Sequence, residues 1–359
     1  MEVRAASPSE REEVLDLLSL WYGDRVFFER YNHNDPKFRD ALCLVARDGG
    51  KLVSTVQIFD RTINLDGKAV PMGGIGSVFT REDYRHQRVA SALMRLAVET
   101  LEREGFEVSL LFAERLTFYN QFGWREVGRK FGVIADAARL KTKPDTEKTI
   151  EIDVFDLARD LREVAEIHRG YTGRFNVAVI RGESEWRANY SFAGNQPMHP
   201  GEGSEEYFIV ARGAGRVQAY TRAIRLYGVT MVMEYGYRPG GEEALFALLR
   251  HLAQSTQGLR SSFRQTGDHR RAARLRSGSG ATAPTGALIS HTAHDKALED
   301  RLAAAGAPVT HHVDNNYMWR IIAPDKLAAR LGTTPEATVA RAFKIFADDS
   351  SLFWTADRF

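Results

Sequence analysis

Two strand-like runs, KLVSTVQIFDRTINL (51–65) and KAVPMGGIGSVFT (68–80), are separated only by Asp66-Gly67. An Asp-Gly pair between such runs marks a tight hairpin, because the turn that matches strand twist needs positive φ at both central residues. The run ALCLVAR before them turns through Asp48-Gly49-Gly50, which extends the hairpin into a meander of strands. A short strand, EVRAA, opens the chain, and Ser7, Pro8 and Glu10 then form a capping box with Pro at the first helical position. That box starts a helix through REEVLDLLSLWYG.

The meander leads through GSVFT into EDYRHQRVASALMRL, a polar, basic loop running directly into an amphipathic helix. A helix start presents four unpaired backbone N–H groups and the positive end of the helix dipole. Arg85, His86, Gln87 and Arg88 crowd that place, which makes it a phosphate-sized site. The helix is expected to stop at Gly105, followed by a strand in EVSLLFAE, a short helix in LTFYNQFGWREVGR and a last strand.

At 359 residues the chain is too long for one ordinary core, so two or three domains are expected. The formal net charge of +2 disfavours a nucleic-acid partner. Cys43 is the single cysteine, which excludes an internal disulfide framework, and its setting in ALCLVA reads as a buried strand. The start MEVRAASPSEREE lacks the charged-then-apolar pattern of a secretory signal, and no stretch approaches membrane-spanning length. The cytoplasm is the default expectation, with no membrane partner.

The order of elements, together with these residues, resembles the GNAT superfamily of acyl-CoA N-acyltransferases. Arg85-His86-Gln87-Arg88-Val89-Ala90 matches the first and last marked positions of its Q/R-x-x-G-x-G/A signature and departs at the middle one, where Arg88 replaces Gly. FYNQFGW (118–124) resembles the family's closing F/L-Y-x-x-x-G-F/W segment at the usual distance downstream. Over nearly the whole chain the resemblance is to the enhanced intracellular survival (Eis) type of acetyltransferase. It implies an α+β chain of tandem GNAT folds with a shortened C-terminal sterol-carrier-protein-like region. The expected domains are a catalytic one over 1–146, a degenerate second one over 147–282 and a reduced third region over 283–359. Between Tyr237 and the helix GGEEALFALLRHLAQS there is only RPGG, so the second unit is expected to hold no coenzyme. NNYMWRIIAPDKLAARLG resembles the start of the third region, ATVARAFKIFADDSSLFWTADRF its end, and GDHRRAARLRSGSGATAPTG reads as a solvated loop.

The resemblance implies acetyl-CoA as co-substrate, no metal, a small-molecule or peptide amine as acceptor, and a homo-oligomer. Coenzyme contacts are expected at Val78, Phe79 and Thr80 on the strand, and at Arg85, His86, Gln87, Arg88, Val89, Ala90 and Ser91 on the loop and helix start. Tyr119 falls where the family keeps its general acid, and a phenol is protonated at neutral pH. From spacing alone, a Tyr packed beside Phe118 and Phe122 is the alternative. The base is less usual: the resemblance to Eis-type enzymes implies that the chain's own terminal carboxylate enters the active site, which corresponds to Phe359, with Leu352, Phe353 and Trp354 anchoring the tail by apolar burial. Glu114 is the other candidate base, and Glu234 in VMEYGY reads as a buried, hydrogen-bonded group. Adjacent His311 and His312 point to opposite faces of a strand, which argues against a shared metal. Arg358, where some relatives carry an acidic residue, disfavours polycationic acceptors. A non-catalytic module binding coenzyme A or a partner is the reading of a different class.

Overall fold

The computed structural model describes residues 1–22, 25, 28–29, 34–134, 137–141, 150–193, 205–226, 229–254, 288–290 and 295–357. In chain order the first part contains β1 (Glu2–Ala5), α1 (Arg11–Tyr22), β2 (Cys43–Asp48), β3 (Lys51–Leu65), β4 (Lys68–Thr80), α2 (Val89–Arg103), β5 (Val108–Phe112), α3 (Leu116–Asn120), β6 (Arg125–Glu126) and β7 (Arg129–Ile134). The second part follows with β8 (Glu151–Val154), α4 (Leu157–Thr172), α5 (Glu183–Ala193), β9 (Glu205–Gly213), β10 (Arg216–Leu226), β11 (Val229–Tyr237) and α6 (Glu242–Gln254). After these come β12 (Leu288–Ser290), α7 (Lys296–Ala304), β13 (Val309–Asp314), β14 (Tyr317–Ile321), α8 (Pro324–Leu331) and α9 (Pro335–Ala347).

The hairpin turns form as their residues dictate. Leu65 lies opposite Lys68 and Asp48 opposite Lys51, with Asp66, Gly67, Gly49 and Gly50 all at positive φ. Ser7 donates its backbone N–H to Glu10 at 2.7 Å, closing one arm of the capping box ahead of α1. α2 ends as expected, with Gly105 in the left-handed region at φ 82°.

The strands form two mixed sheets, ordered β1-β2-β3-β4-β5-β14-β6 and β13-β7-β12-β11-β10-β9-β8. β4 runs parallel to β5, and β11 parallel to β12. α2 covers one face of the first sheet by burying Val89, Leu93, Met94, Ala97 and Leu101, one stripe at helical spacing, against Val56, Ile58, Ile75 and Leu111. α1 covers the other face, packing Val14, Leu15 and Leu18 on Cys43, Val45 and Phe79.

Both sheets show the same order of pairings, and each takes one strand from the other half of the chain. β14 sits between β5 and β6, while β7 sits between β12 and β13. Within the region expected as a reduced third unit over 283–359, β12 and β13 belong to the second sheet and β14 completes the first. The physical reason is that β5 needs a partner on its open edge, and the fully buried Tyr317, Met318 and Trp319 provide one. The expected boundaries at 146/147 and 282/283, and the stretch 267–286, lie outside the described residues.

The segment after α9 lies between the two cores. Phe353 joins Met72, Leu110 and Trp319 of the first sheet, whereas Leu352 and Trp354 join the cluster of the second. Arg129 on β7 holds the approach to this segment by donating to the carbonyls of Phe346, Asp348 and Ser351.

Gly73 on β4 is where α2 comes closest to the sheet: a Cβ there would overlap the Leu101 side chain. Gly73→Ala should destabilise the fold by about 1–3 kcal/mol, the usual range for overpacking, measured by denaturant unfolding. An unchanged midpoint would show that α2 can shift to make room.

Candidate active site

The ladder between β4 and β5 runs from Met72 opposite Val108 to Ile75 opposite Leu111 and stops there, while β4 continues to Thr80. Just past this point β4 bulges: Gly76 lies opposite Gln57 but Phe79 opposite Thr55, and Ser77 takes φ 49°. From the bulge onward, the edge of β4 that faced β5 pairs with no strand among the described residues. Val78 lies half-buried against the α2 cluster, Phe79 is buried on the α1 side, and the Thr80 hydroxyl meets Ser54 at 2.7 Å. The three residues expected to line a pantetheine arm thus sit on the free part of the strand.

The loop beyond β4 exposes Arg85, His86, Gln87 and Arg88, and two of them are left-handed, His86 at φ 64° and Arg88 at φ 61°. Arg88 is the N-cap of α2. Its backbone adopts the conformation for which the family signature uses Gly, at a strain of about 1–2 kcal/mol for a residue with a Cβ. No side chain caps this helix start, and its first turn carries no acidic residue. The N–H groups of Val89, Ala90 and Ser91 thus begin an uncapped helix, and the preceding loop carries the exposed Arg88 and Arg85, the latter 3.6 Å from Glu82. This is the chemistry a pyrophosphate requires, so the residues present fit the phosphate end of a coenzyme A.

Tyr119 lies on α3, half-buried against the same apolar cluster as Val78, with its ring edge-on to Phe118 at 5.0 Å. Burial pushes its phenol up to about 12, opposed by nearby Arg115, so it is a neutral proton donor throughout the physiological range. Glu114 is exposed and, with Arg115, Leu116, Thr117, Phe118 and Gln121, lines an open pocket of about 540 Å³ beside α3. Phe359 and Arg358 lie outside the described residues, of which Asp357 is the last.

The other candidates resolve into structural roles. Cys43 is buried, and burial pushes its thiol up to about 12, far from a thiolate nucleophile. His311 points to Glu299 at 3.3 Å while His312 stacks on Phe131, so the two rings part as their strand spacing implies. Glu234 is completely buried and paired: Arg181 grips it through two nitrogens at 2.5 and 3.2 Å and reaches Asp357 with its Nε at 2.7 Å. Burial alone would raise Glu234, yet Arg181 and Arg222 draw it down to about 2. Burial holds Asp357 above the ordinary carboxylate range in spite of Arg181. Neither Arg181 nor Asp357 was legible as a site residue, because each is a lone charge in an unremarkable stretch until the fold joins them.

Comparison with known proteins bears on the first sheet above all. Residues 2–127 match the family model described as the acetyltransferase (GNAT) domain. No curated protein matches the sequence. Among solved structures, a conserved Enterococcus faecalis protein described as a probable N-acyltransferase is similar at TM-score 0.64 and 17% identity, over 92% of this chain and 74% of that one. A GCN5-related N-acetyltransferase from Kribbella flavida is similar at TM-score 0.62 and 17% identity, with the same coverage. Eis1 from Mycobacterium abscessus is similar at TM-score 0.58 and 14% identity, over 92% of this chain and 76% of that one. At these identities the likeness is one of fold. The family match ends at Val127, just after β6, where the polypeptide leaves the first sheet; it supports a GNAT acetyltransferase domain at the N-terminal end of the chain, and with it an acyltransferase.

Proposed function

We propose that the first sheet transfers the acetyl group of acetyl-CoA directly to an amine acceptor. The observation that carries this reading is the uncapped start of α2 behind left-handed Arg88, adjoining the free edge of β4. Backbone groups from Gln87 to Ser91 hold the pyrophosphate, Arg85 and Arg88 supply charge, and β4 from Val78 to Thr80 lies along the pantetheine arm. The amine nitrogen attacks the thioester carbonyl, the carbon–sulfur bond breaks, and the departing thiolate takes the proton of Tyr119. The acceptor amine gives up its own proton to a base, in this reading the carboxylate of Phe359. The equivalent connection in the second half, from Tyr237 to α6, is a turn closed by Gly241 donating to Arg238, with no comparable loop. One coenzyme per chain follows.

The test is a panel of amines with acetyl-CoA, read with calorimetric binding of coenzyme A. Transfer to at least one amine with one site per chain supports the reading, and binding without turnover would favour a non-catalytic module. Tyr119→Phe should leave coenzyme A affinity unchanged and lower kcat by roughly 100-fold. With the phenol raised to about 12, its deprotonation should cause no loss of kcat below about pH 10. A Tyr119→Phe enzyme with native kcat would return Tyr119 to the core.

The left-handed backbone at Arg88 gives a further check. Arg88→Gly should be more stable than Arg88→Ala by about 1 kcal/mol, since both remove the guanidinium and only Ala keeps the Cβ. Equal stability in thermal unfolding would mean the loop is not held in this conformation. For the base, a single residue added after Phe359 displaces the carboxylate by about 3.5 Å and should abolish most transfer without weakening coenzyme binding. Equal turnover of extended and native chains would shift the role to Glu114 or to water.

A further inference from the structure

Tyr119 gives one end of α3 a role in the proposed acyl transfer; the other end, at Glu114 and Arg115, has none. β4 and β5 are parallel, so the chain leaves both at the same end of the sheet. β4 leads through Val78–Thr80 toward the start of α2, and β5 leads through Glu114 and Arg115 into α3. Leu116, Phe118 and Tyr119 pack in the cluster that also holds Val78 of β4 and Val89 of α2. α3 therefore lies on the α2 face, at the end of the sheet where α2 starts.

Glu114 and Arg115 are exposed, and neither side chain forms a hydrogen bond or an ion pair with a described residue. Other arginines around this helix are engaged: Arg125 lies over the Phe343 ring at 5.1 Å, and Arg320 donates to the Phe122 carbonyl. With Thr117, Phe118 and Gln121, the two charges line the open pocket of about 540 Å³. That volume is within the range of small-molecule sites, and the lining combines a cation, hydrogen-bonding groups and an aromatic ring. Phe118 is half-buried, edge-on to Tyr119 at 5.0 Å and to Phe122 at 5.4 Å, so its ring is held in place.

Charge decides what such a pocket holds. A coenzyme A with its pantetheine arm along Val78–Thr80 and its pyrophosphate at Gln87–Ser91 has its adenosine and 3′-phosphate beyond the start of α2, on the face where α3 lies. A guanidinium answers a phosphate with paired N–H groups. The 2′-hydroxyl of the ribose and the amino group of the adenine are donors, which Glu114 and Gln121 can accept. We propose that the pocket beside α3 takes the adenosine end of coenzyme A, with Arg115 binding the 3′-phosphate. This assignment rests on the function proposed for the first sheet and extends its coenzyme site from α2 to α3. An acceptor amine bearing an acidic group would offer Arg115 the same chemistry, and the experiment separates the two.

Calorimetry on the full-length protein compares coenzyme A with 3′-dephospho-coenzyme A, which lacks only that phosphate, at one low ionic strength. The native protein should bind coenzyme A about tenfold more tightly than the dephospho form. Arg115→Ala should bind coenzyme A about tenfold more weakly than the native protein and the dephospho form as before, with an unchanged Tm because the side chain is exposed. Should that variant not fold, Arg115→Gln is expected to behave in the same way. Equal binding of both forms by the native protein would overturn the assignment. An equal loss for both forms in the variant would also overturn it, since Arg115 would then serve the pyrophosphate. So would native coenzyme affinities with a raised KM for the amine, which would give the pocket to the acceptor. A native protein that binds neither form sinks the coenzyme site of the first sheet itself, whereas equal binding of the two sinks the Arg115 assignment alone.

Discussion

The pairing of β14 with β5 and β6 is the interaction on which the two sheets depend. β5 is parallel to β4 on one side, so its other edge carries a row of backbone groups that must be satisfied, and its own neighbours in sequence do not do it. Tyr317 to Ile321 does, from the far end of the chain, and β7 returns the contribution to the second sheet. Neither sheet is complete without a strand from the other half. Closing so long a loop costs only slowly growing entropy, while the buried side chains of Tyr317, Met318 and Trp319 each contribute on the order of 1.5–3 kcal/mol. The arrangement therefore couples the stability of the two halves rather than joining independent units.

That coupling leaves the cleft end of the first sheet as the place where pairing is given up. β4 and β5 part at Ile75 and Leu111 because β4 bulges at Ser77, and the bulge is held by β3 on the opposite edge. A few residues on, Arg88 accepts a left-handed backbone so that α2 can begin with bare N–H groups. Both features are locally unfavourable and both are surrounded by well-packed elements, the α2 cluster on one face and the α1 cluster on the other. Strain of this kind persists only where the neighbouring structure over-determines it, and it gathers at sites that bind ligands.

How much of this was legible in the sequence depended on the range of the interaction. The Asp-Gly turns, the Ser7–Glu10 box, the stop of α2 at Gly105 and the loop before it are written within a few residues, and local chemistry decides them. Arg88 looked like a departure from the signature, although a left-handed backbone is open to any residue at a modest cost. The exchange of β7 and β14 was not legible, since a strand such as YMWRI carries no mark of which edge it will fill. NNYMWRIIAPDKLAARLG consequently read as the start of a separate region. Glu234 was legible as a buried charge in need of a partner, but its partners Arg181 and Asp357 lie 53 positions before it and at the very end of the described chain.

A buried ion cluster is an expensive way to hold a tail, since desolvation of three charges offsets much of their attraction, and apolar residues of the same volume would serve stability as well. Leu352, Phe353 and Trp354 already supply that apolar hold. What they cannot supply is direction, because packing in a core tolerates rotation and sliding more readily than a forked hydrogen bond does. Arg181 has a planar guanidinium whose two terminal nitrogens are occupied by Glu234, leaving Nε to meet Asp357 at one angle and one distance. The apolar residues settle that the tail stays; the ion cluster settles where it points.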